Sequence, residues 1–519
     1  MHSTLLGNSH SVGATTLAAA LGAVFLLYLL ARSVYYVFVH PLAKVPGPKL
    51  YACSDLPYLY QLLRGEWPLK LKQLHDQYGP VVRFTPNNVS FTTPGAWKII
   101  YGHRVAGQET FVKDWITYRP TLSGHPHIVN ANADDHRRQR RLLSHAFSEK
   151  ALRGQEDIMK RYIDLLICRL GERAATGEAV DLVQWYNFTT FDLIGDLAFG
   201  EPFGCLERGV YHPWVAMIFQ NIKQSVYGEA MRRHPRLKPL LTLITPKKLV
   251  RSQKEHWALS EQTAKRRLNS GNVSREDFMS YILRHNDEKG MTTGEIIENA
   301  NILIVAGSET TATQLSGTTF HLLRNPAKYE KLVNEVRSSF ASDDEITLLR
   351  VSSLEYMNAV FEEGFRMYPP APLALSRRIP PKGEFIDGYW MPGDTAVGVP
   401  QWASYQSERN FRNHDQFVPE RWLGDPDYAH DVRDVLQPFS VGPRNCIGKN
   451  LAYAEMRLIL ARVLWNFDLE LMPESWNWND QKIYSLWEKG PLKVKLTPVS
   501  TQQREEEAQI ACDKEGNRN

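Results

Sequence analysis

The sequence is poor in the features that mark several large protein classes. Its five cysteines, Cys53, Cys168, Cys205, Cys446 and Cys512, are odd in number and irregularly spaced, with no CxxC pair among them. That argues against a disulfide framework or a structural zinc site, and it fits a catalytic body in a reducing compartment. Charge of one sign is also scarce, with 61 Lys and Arg against 57 Asp and Glu and a formal net charge of +4. So small an excess makes no case for nucleic acid as a partner. No internal repeat is found, no Gly-rich nucleotide signature occurs, and no Pro/Gly/Ser linker divides the body.

What is present begins with a long apolar run. No charged residue occurs from Ser11 to Ala31, and Leu17 to Leu30 is nearly continuous Leu, Ala, Val and Phe. The run is long enough to cross a bilayer as a helix. A cleaved signal peptide is the alternative, but that would carry Lys or Arg ahead of the span. Here Arg32 and Lys44 follow it, which favours a cytosolic body. Pro41, Pro46 and Pro48, with Gly47, then form a stiff linker. The expectation is a retained single-pass anchor over residues 1–40, one large domain over 41–500, and a polar, disordered tail over 501–519.

Apolar periodicity predicts helices at about 134–150, 155–175, 181–199, 211–230, 248–269, 292–323, 326–340, 353–367 and 447–466. Val81 to Phe84 and Val89 to Thr92 flank Asn87-Asn88 as a short hairpin. Further strands are expected near 384–399 and 481–497. The fold class is mainly α with small β-sheets.

The segment from Phe439 to Gly448 carries the most chemistry. A metal-bound thiolate needs backbone N–H groups and a helix N-terminus beside it, and Cys446 stands just before a helical pattern. Gly442 and Gly448 allow close approach of backbone to sulfur and to a flat macrocycle. Phe439 can shield the sulfur, and Arg444 has the charge and reach for a carboxylate. The bland alternative is a buried structural cysteine.

The segment resembles the cytochrome P450 signature Phe-x-x-Gly-x-Arg-x-Cys-x-Gly at every defined position. The resemblance implies the P450 fold, with haem b ligated by Cys446. Other segments agree with it. Glu363 and Arg366, at i and i+3, resemble the family's Glu-x-x-Arg pair, and Arg421 in Pro419-Glu-Arg-Trp422 resembles its third, structural partner. Ala306-Gly307-Ser308-Glu309-Thr310 resembles the oxygen-activation motif. Gly307 would give room over the iron, and a Thr side chain can bond back to the i−4 carbonyl and open the helix. By similarity Thr310 hydrogen-bonds the oxygen ligand and Glu309 takes part in proton relay. The family usually has Trp-x-x-x-Arg on an early helix; this sequence has His136 in place of Trp, with Arg140 matching, as candidate propionate partners. Arg377 is a further candidate by the same resemblance. The remaining arginines of the Asp135–Arg141 run form either a solvated face or a docking patch for an acidic electron donor.

The resemblance implies a monooxygenase drawing NADPH electrons from a separate NADPH–cytochrome P450 reductase, with cytochrome b5 as a second donor, at the endoplasmic reticulum membrane. Leu240 to Thr245 is apolar between lysines and could dip into the bilayer or make a core contact. Pocket zones by analogy are 121–129, 205–230, 302–310, 374–375 and 484–486, apolar enough for a lipophilic substrate. The overall pattern is similar to fungal microsomal enzymes of secondary metabolism, such as trichothecene hydroxylases and polyketide-tailoring oxygenases. Two other readings stay open: a haem-thiolate isomerase or dehydratase needing no reductase, and a noncatalytic membrane haem-binding protein.

Overall fold

The computed structural model describes residues 5–500 apart from 106, 119, 238, 240, 241, 244–246 and 270–276. The expected tail over 501–519 and most of the 240–245 segment therefore lie outside the described residues. The central helix, Thr293–Leu323, begins at a capping box. The Glu295 N–H donates to Thr292 Oγ1, and the Thr292 N–H donates back to the Glu295 carboxylate at 2.8 Å. Its later turns, apart from Gln314 and His321, are apolar or small and are almost wholly buried, as a helix at the centre of a large core must be. It packs most extensively against Leu182–Phe199, which is equally buried and ends at Gly200 with φ +76°. Glu355–Met367 and Lys449–Asn466 close its other side.

The helix expected over 134–150 is two helices, Ala133–Leu143 and Glu149–Gly154. The break has a local cause: Ser148 accepts from the Ala151 N–H at 3.2 Å and starts a new N-terminus. The expected hairpin is present as β1 (Val81–Thr85) and β2 (Asn88–Phe91). It joins β3 (Val112–Lys113), β5 (Arg377–Arg378) and β8 (Ala396–Gly398) in a sheet of order β1-β2-β8-β5-β3. The two-residue strands β3 and β5 carry no readable period, yet their pairing sets Lys113 opposite Arg377. A second sheet has the order β4-β10-β9, from β4 (Val180–Asp181), β9 (Phe467–Leu471) and β10 (Lys493–Pro498). The hairpin β6 (Glu384–Ile386) and β7 (Tyr389–Met391) stands apart.

The N-terminal helix, Leu5–Val34, extends beyond this body. Thr16–Val39, with a mean hydropathy of 2.0 and none of it buried, is long and apolar enough to cross a membrane. Exposed Leu, Val and Phe along residues 17–39 suit an apolar phase.

Glu363, Arg366 and Arg421 meet in one fully buried cluster. Arg366 donates to Glu363 at 2.8 and 2.9 Å, and Arg421 Nε lies 3.1 Å from the same carboxylate. The Val418 N–H and the Trp422 indole add bonds at 2.7 and 3.0 Å. Asp431, which the sequence did not single out, pairs with the far side of Arg421. Burial works to raise the Glu363 pKa, but Arg366 and Arg421 outweigh it and hold the carboxyl below its usual range. Arg421→Ala leaves buried Asp431 without its cation and Glu363 with Arg366 alone, so it should cost about 3–5 kcal/mol, read as a lowered midpoint in denaturant unfolding. An unchanged midpoint would mean that the cluster is not a structural tie.

Candidate active site

Cys446 lies on a loop whose shape is fixed by contacts within the chain. Its N–H donates to the Phe439 carbonyl at 2.8 Å. Gly442 adopts φ +75°, and a Cβ there would fall 2.0 Å from the Tyr101 carbonyl oxygen, so only glycine fits. Arg140 clamps the loop from the Ala133–Leu143 helix, with Nη1 and Nη2 each donating to Asn445 at 2.6 Å. Both terminal nitrogens thus bear on the shape of the cysteine loop, and Arg140 also lines the cationic pocket beside it. Phe439 packs edge-on against Phe365 and beside Tyr453, both at 5.2 Å. Burial pushes the Cys446 thiol up, while the Gly448 N–H, Arg140 and Lys449 pull it down. Ionisation of this sulfur is therefore favoured by a metal ion that replaces the proton.

The sulfur opens onto a cavity of about 300 Å3 between the cysteine loop and the central helix. Ala306, Gly307 and Thr310 face Cys446 across it, and Val129, Leu303 and Leu375 line it as well. Thr310 Oγ1 donates to the Ala306 carbonyl at 2.6 Å, the i−4 bond that loosens a helix. Gly307 differs from expectation. A Cβ there would meet Ile194 Cδ1 at 2.7 Å, so its smallness serves helix packing as well as cavity space. Gly448 is the reverse case, because a Cβ there would stand free beside the sulfur, 4.0 Å from Sγ.

One edge of the cavity is strongly cationic. Lys113, Arg377 and Arg444 converge there and continue into a neighbouring pocket that includes His136 and Arg140. Arg444 Nη1 is buried with no hydrogen-bond partner, and its pKa is pushed down to about 10 by burial and by Arg377. Burial, then Arg377 and Arg444, hold Lys113 well below the usual lysine range. Burial and the same cations push His136 down to about 3, leaving it neutral. No carboxylate among the described residues pairs with Lys113, Arg377 or Arg444. Mutually repelling buried cations need anions. A flat macrocycle with a carboxylate edge, its metal over Cys446 Sγ, matches this donor set, so the residues fit haem. Lys113 was missed because it sits far from every recognised motif; only its pairing with Arg377 brings it in.

Glu309 is not in this cavity. It is buried behind the central helix, where its carboxylate pairs with Lys489 and meets Thr313 at 3.4 Å. The sequence marks Glu309 as a relay acid next to Thr310, and the structure turns the two side chains to different faces of the helix. At 100° per residue the two neighbours diverge, and Lys489 on the loop before β10 draws the carboxylate away. The zone at 484–486 also faces this rear side, where Tyr484 and Leu486 line a second chamber.

Glu455 is a cavity residue that the sequence reading did not single out. Burial pushes it up to about 8, against a hydrogen bond with Thr311. A carboxyl whose pKa is higher folded than unfolded stabilises the fold at low pH and loses that contribution as pH rises through 8. Stability should therefore decline between about pH 4.5 and 8 more steeply in the natural protein than in Glu455→Gln, which mimics the neutral form. Parallel pH–stability curves would refute the assignment.

Comparison with known proteins agrees with this geometry. The family described as Cytochrome P450 matches residues 50–496. The chain is 47% identical over 476 residues to the cytochrome P450 monooxygenase astJ of Aspergillus oryzae, covering 91% of this chain and 95% of that protein. It is 45% identical over 483 residues to the trichothecene C-4 hydroxylase of Trichoderma arundinaceum, covering 91% and 95%. It is also 44% identical over 489 residues to the averantin hydroxylase of Dothistroma septosporum, covering 93% and 91%. A thiolate loop facing a threonine across a cation-edged cavity, shared family sequence and relatives of nearly equal length lead to one conclusion: the chain belongs to the cytochrome P450 family and is a haem-dependent monooxygenase.

Proposed function

We propose that this monooxygenase hydroxylates or otherwise oxidises a lipophilic polyketide, terpenoid or alkaloid in a fungal secondary-metabolite pathway. The observation that carries the reading is the apolar wall over Cys446, formed by Val129, Leu303, Ala306 and Leu375. Such a wall desolvates a nonpolar molecule at little cost and offers few polar anchors. Names of relatives support the class: one acts on averantin and another on a trichothecene at C-4. Those names, and the plain monooxygenase names beside them, give no support to an isomerase or a noncatalytic carrier.

In this reading Cys446 would hold the haem iron through its sulfur, and Phe439 would keep water from that sulfur. When bound, haem b supplies dioxygen binding and O–O cleavage assisted by the thiolate. Lys113, Arg377 and Arg444 neutralise its carboxylates, and neutral His136 contributes a hydrogen bond to them. Thr310 orients a proton donor over the cavity floor from the turn that its bond to Ala306 loosens. Glu309 supplies protons to that turn from behind the helix. Electrons come from NADPH through a reductase, with cytochrome b5 as a second donor. The exposed Arg137 and Arg141, at the rim of the cationic pocket, suit an acidic docking surface whose contribution is strongest at low salt. The anchor holds the body at the cytosolic face of the endoplasmic reticulum, where a lipophilic substrate partitions.

The reduced protein with carbon monoxide should show the red-shifted Soret band of thiolate ligation, and Cys446→Ser should lose both that band and turnover. A serine variant with full activity would end the reading. Thr310→Ala should keep the band but divert NADPH electrons into hydrogen peroxide, by about tenfold or more in the ratio of product to peroxide. Deleting residues 1–40 should shift the protein from the membrane pellet to the supernatant; unchanged pelleting would place the main attachment elsewhere. Metabolite profiling of a deletion strain should show an accumulated apolar precursor, which names the substrate.

A further inference from the structure

The anchor helix runs on past its last regular turn and ends inside the catalytic body. Leu5–Val34 continues as Tyr35–Val39 in a wider coil, in which the His40 N–H donates back to the Tyr35 carbonyl at 2.8 Å. The same spacing would next pair residue 41 with the Tyr36 carbonyl, but residue 41 is proline and has no N–H to give. That carbonyl, at the negative end of the helix, needs a donor from elsewhere. The body supplies it: Arg83 Nη1, on β1, donates to the Tyr36 carbonyl at 2.8 Å. Arg83 is only 2% exposed, and no carboxylate among the described residues pairs with it. Its Nη2 reaches the Pro86 carbonyl at 2.8 Å and His40 Nδ1 at 3.3 Å instead. Burial pushes the guanidinium down to about 10, so it stays charged near neutrality. Burial, then Arg83, hold His40 below the usual histidine range. The neutral ring also accepts from the Leu42 N–H at 3.1 Å. A buried cation without an acid is unfavourable unless oriented dipoles offset it, and a helix C-terminus is such a dipole.

We propose that Arg83 joins anchor and body into one rigid piece, so that the tilt of the helix in the bilayer sets how the catalytic body sits on its surface. The proposal rests on the anchor reading above and adds the joint. Arg83 is a positioning residue here, and the group it acts through is the last turn of the membrane helix. A guanidinium suits the task because its fork of donors has a fixed shape, so one side chain ties the helix end, the linker and the β1–β2 turn together. The linker is held as well. The Arg83 N–H donates to the Pro46 carbonyl at 2.7 Å. Gly47, with φ +154°, passes so close that a Cβ there would fall 2.2 Å from the Arg83 carbonyl oxygen. The short helix Lys49–Cys53 packs on both Tyr35–Val39 and β1, and Pro41–Lys44 packs on β7. A free tether would let the body swing about its attachment point. Residues 40–48 instead lie along the body, and the tilt that the bilayer imposes on the helix passes through them. The cavity over Cys446 and the basic rim at Arg137 and Arg141 are thereby held at set heights above the membrane.

The test places the full-length holoprotein in phosphatidylcholine bilayers oriented on a flat support and measures the linear dichroism of its Soret band, which reports the orientation of the body. A reference variant carries a flexible Gly/Ser spacer of about ten residues between Val34 and Tyr35, which frees the body while residues 16–34 still span. The natural protein should show strong dichroism and the spacer variant little. Arg83→Met keeps the apolar stem but removes every donor, and it should lose most of the dichroism while its carbon monoxide band in detergent stays natural. Retention of the natural dichroism in Arg83→Met would overturn the role of Arg83. Equal dichroism in the natural protein and the spacer variant would overturn the rigid joint itself. Should Arg83→Met not fold, that second comparison still decides: a natural value well above the spacer variant supports the joint, and an equal one ends it. Failure of the natural protein to float with the lipid ends the anchor reading, and the joint falls with it; flotation without dichroism ends the joint alone.

Discussion

The 2.8 Å hydrogen bond from the Cys446 N–H to the Phe439 carbonyl closes the loop on which the rest of the site depends. It turns the chain back on itself so that the sulfur faces the cavity, while the next helix, Lys449–Asn466, runs away from it. The closure is possible only because Gly442 passes against the Tyr101 carbonyl in a left-handed conformation, and it is held from outside by Arg140 on Asn445. Three sequence-distant segments therefore fix one atom. That is what a metal ligand needs, because a sulfur free to swing would lose most of the advantage of a preformed site.

The buried charges fall into two kinds, and the difference is informative. Around Glu363, every cation meets a carboxylate or a row of backbone carbonyls, with Arg366 also donating to the His414 and Gln416 carbonyls at 2.5 and 2.6 Å. Such a cluster is self-sufficient, and its role is to hold the chain. Around Lys113 and Arg444, burial and the neighbouring Arg377 push both pKa values down instead. An arrangement of that sort is unfavourable alone and becomes favourable beside a dianionic edge, so stability of the fold and binding of the group are linked. A closed network is structural, and an open one of single sign is a binding site.

Much of this was legible in the sequence, for identifiable reasons. The amphipathic helices declare themselves by period, whereas Leu182–Phe199 and the later turns of Thr293–Leu323, buried nearly all round, show as long runs free of proline. The cysteine loop is legible because its working parts are contiguous. Lys113 was not, since a two-residue strand has no period and its meaning comes wholly from the register with Arg377. Asp431 was hidden in the same way, being an ordinary acid until Arg421 folds against it. The hold of Arg140 on Asn445 was not legible either, because its charge suits many acceptors and only packing brings these two together. Residue type gives chemistry, whereas the partner is settled by tertiary packing.

Glu309 shows that limit most clearly, and it also shows why the fold places the acid where it does. Adjacent helix residues point about 100° apart, so an acid next to Thr310 must lie on another face. Had that face turned toward the apolar cavity, an ionised carboxylate would have been set against Leu303 and Leu375, where desolvation drives it neutral and invites water beside the substrate. Turned rearward, the same carboxylate finds Lys489 and a polar chamber. One helix can then separate a dry surface from a wet one, with the hydroxyl on the first and the carboxylate on the second. Under the proposed relay role of Glu309, separation of this kind keeps the wet carboxylate apart from the apolar cavity over Cys446.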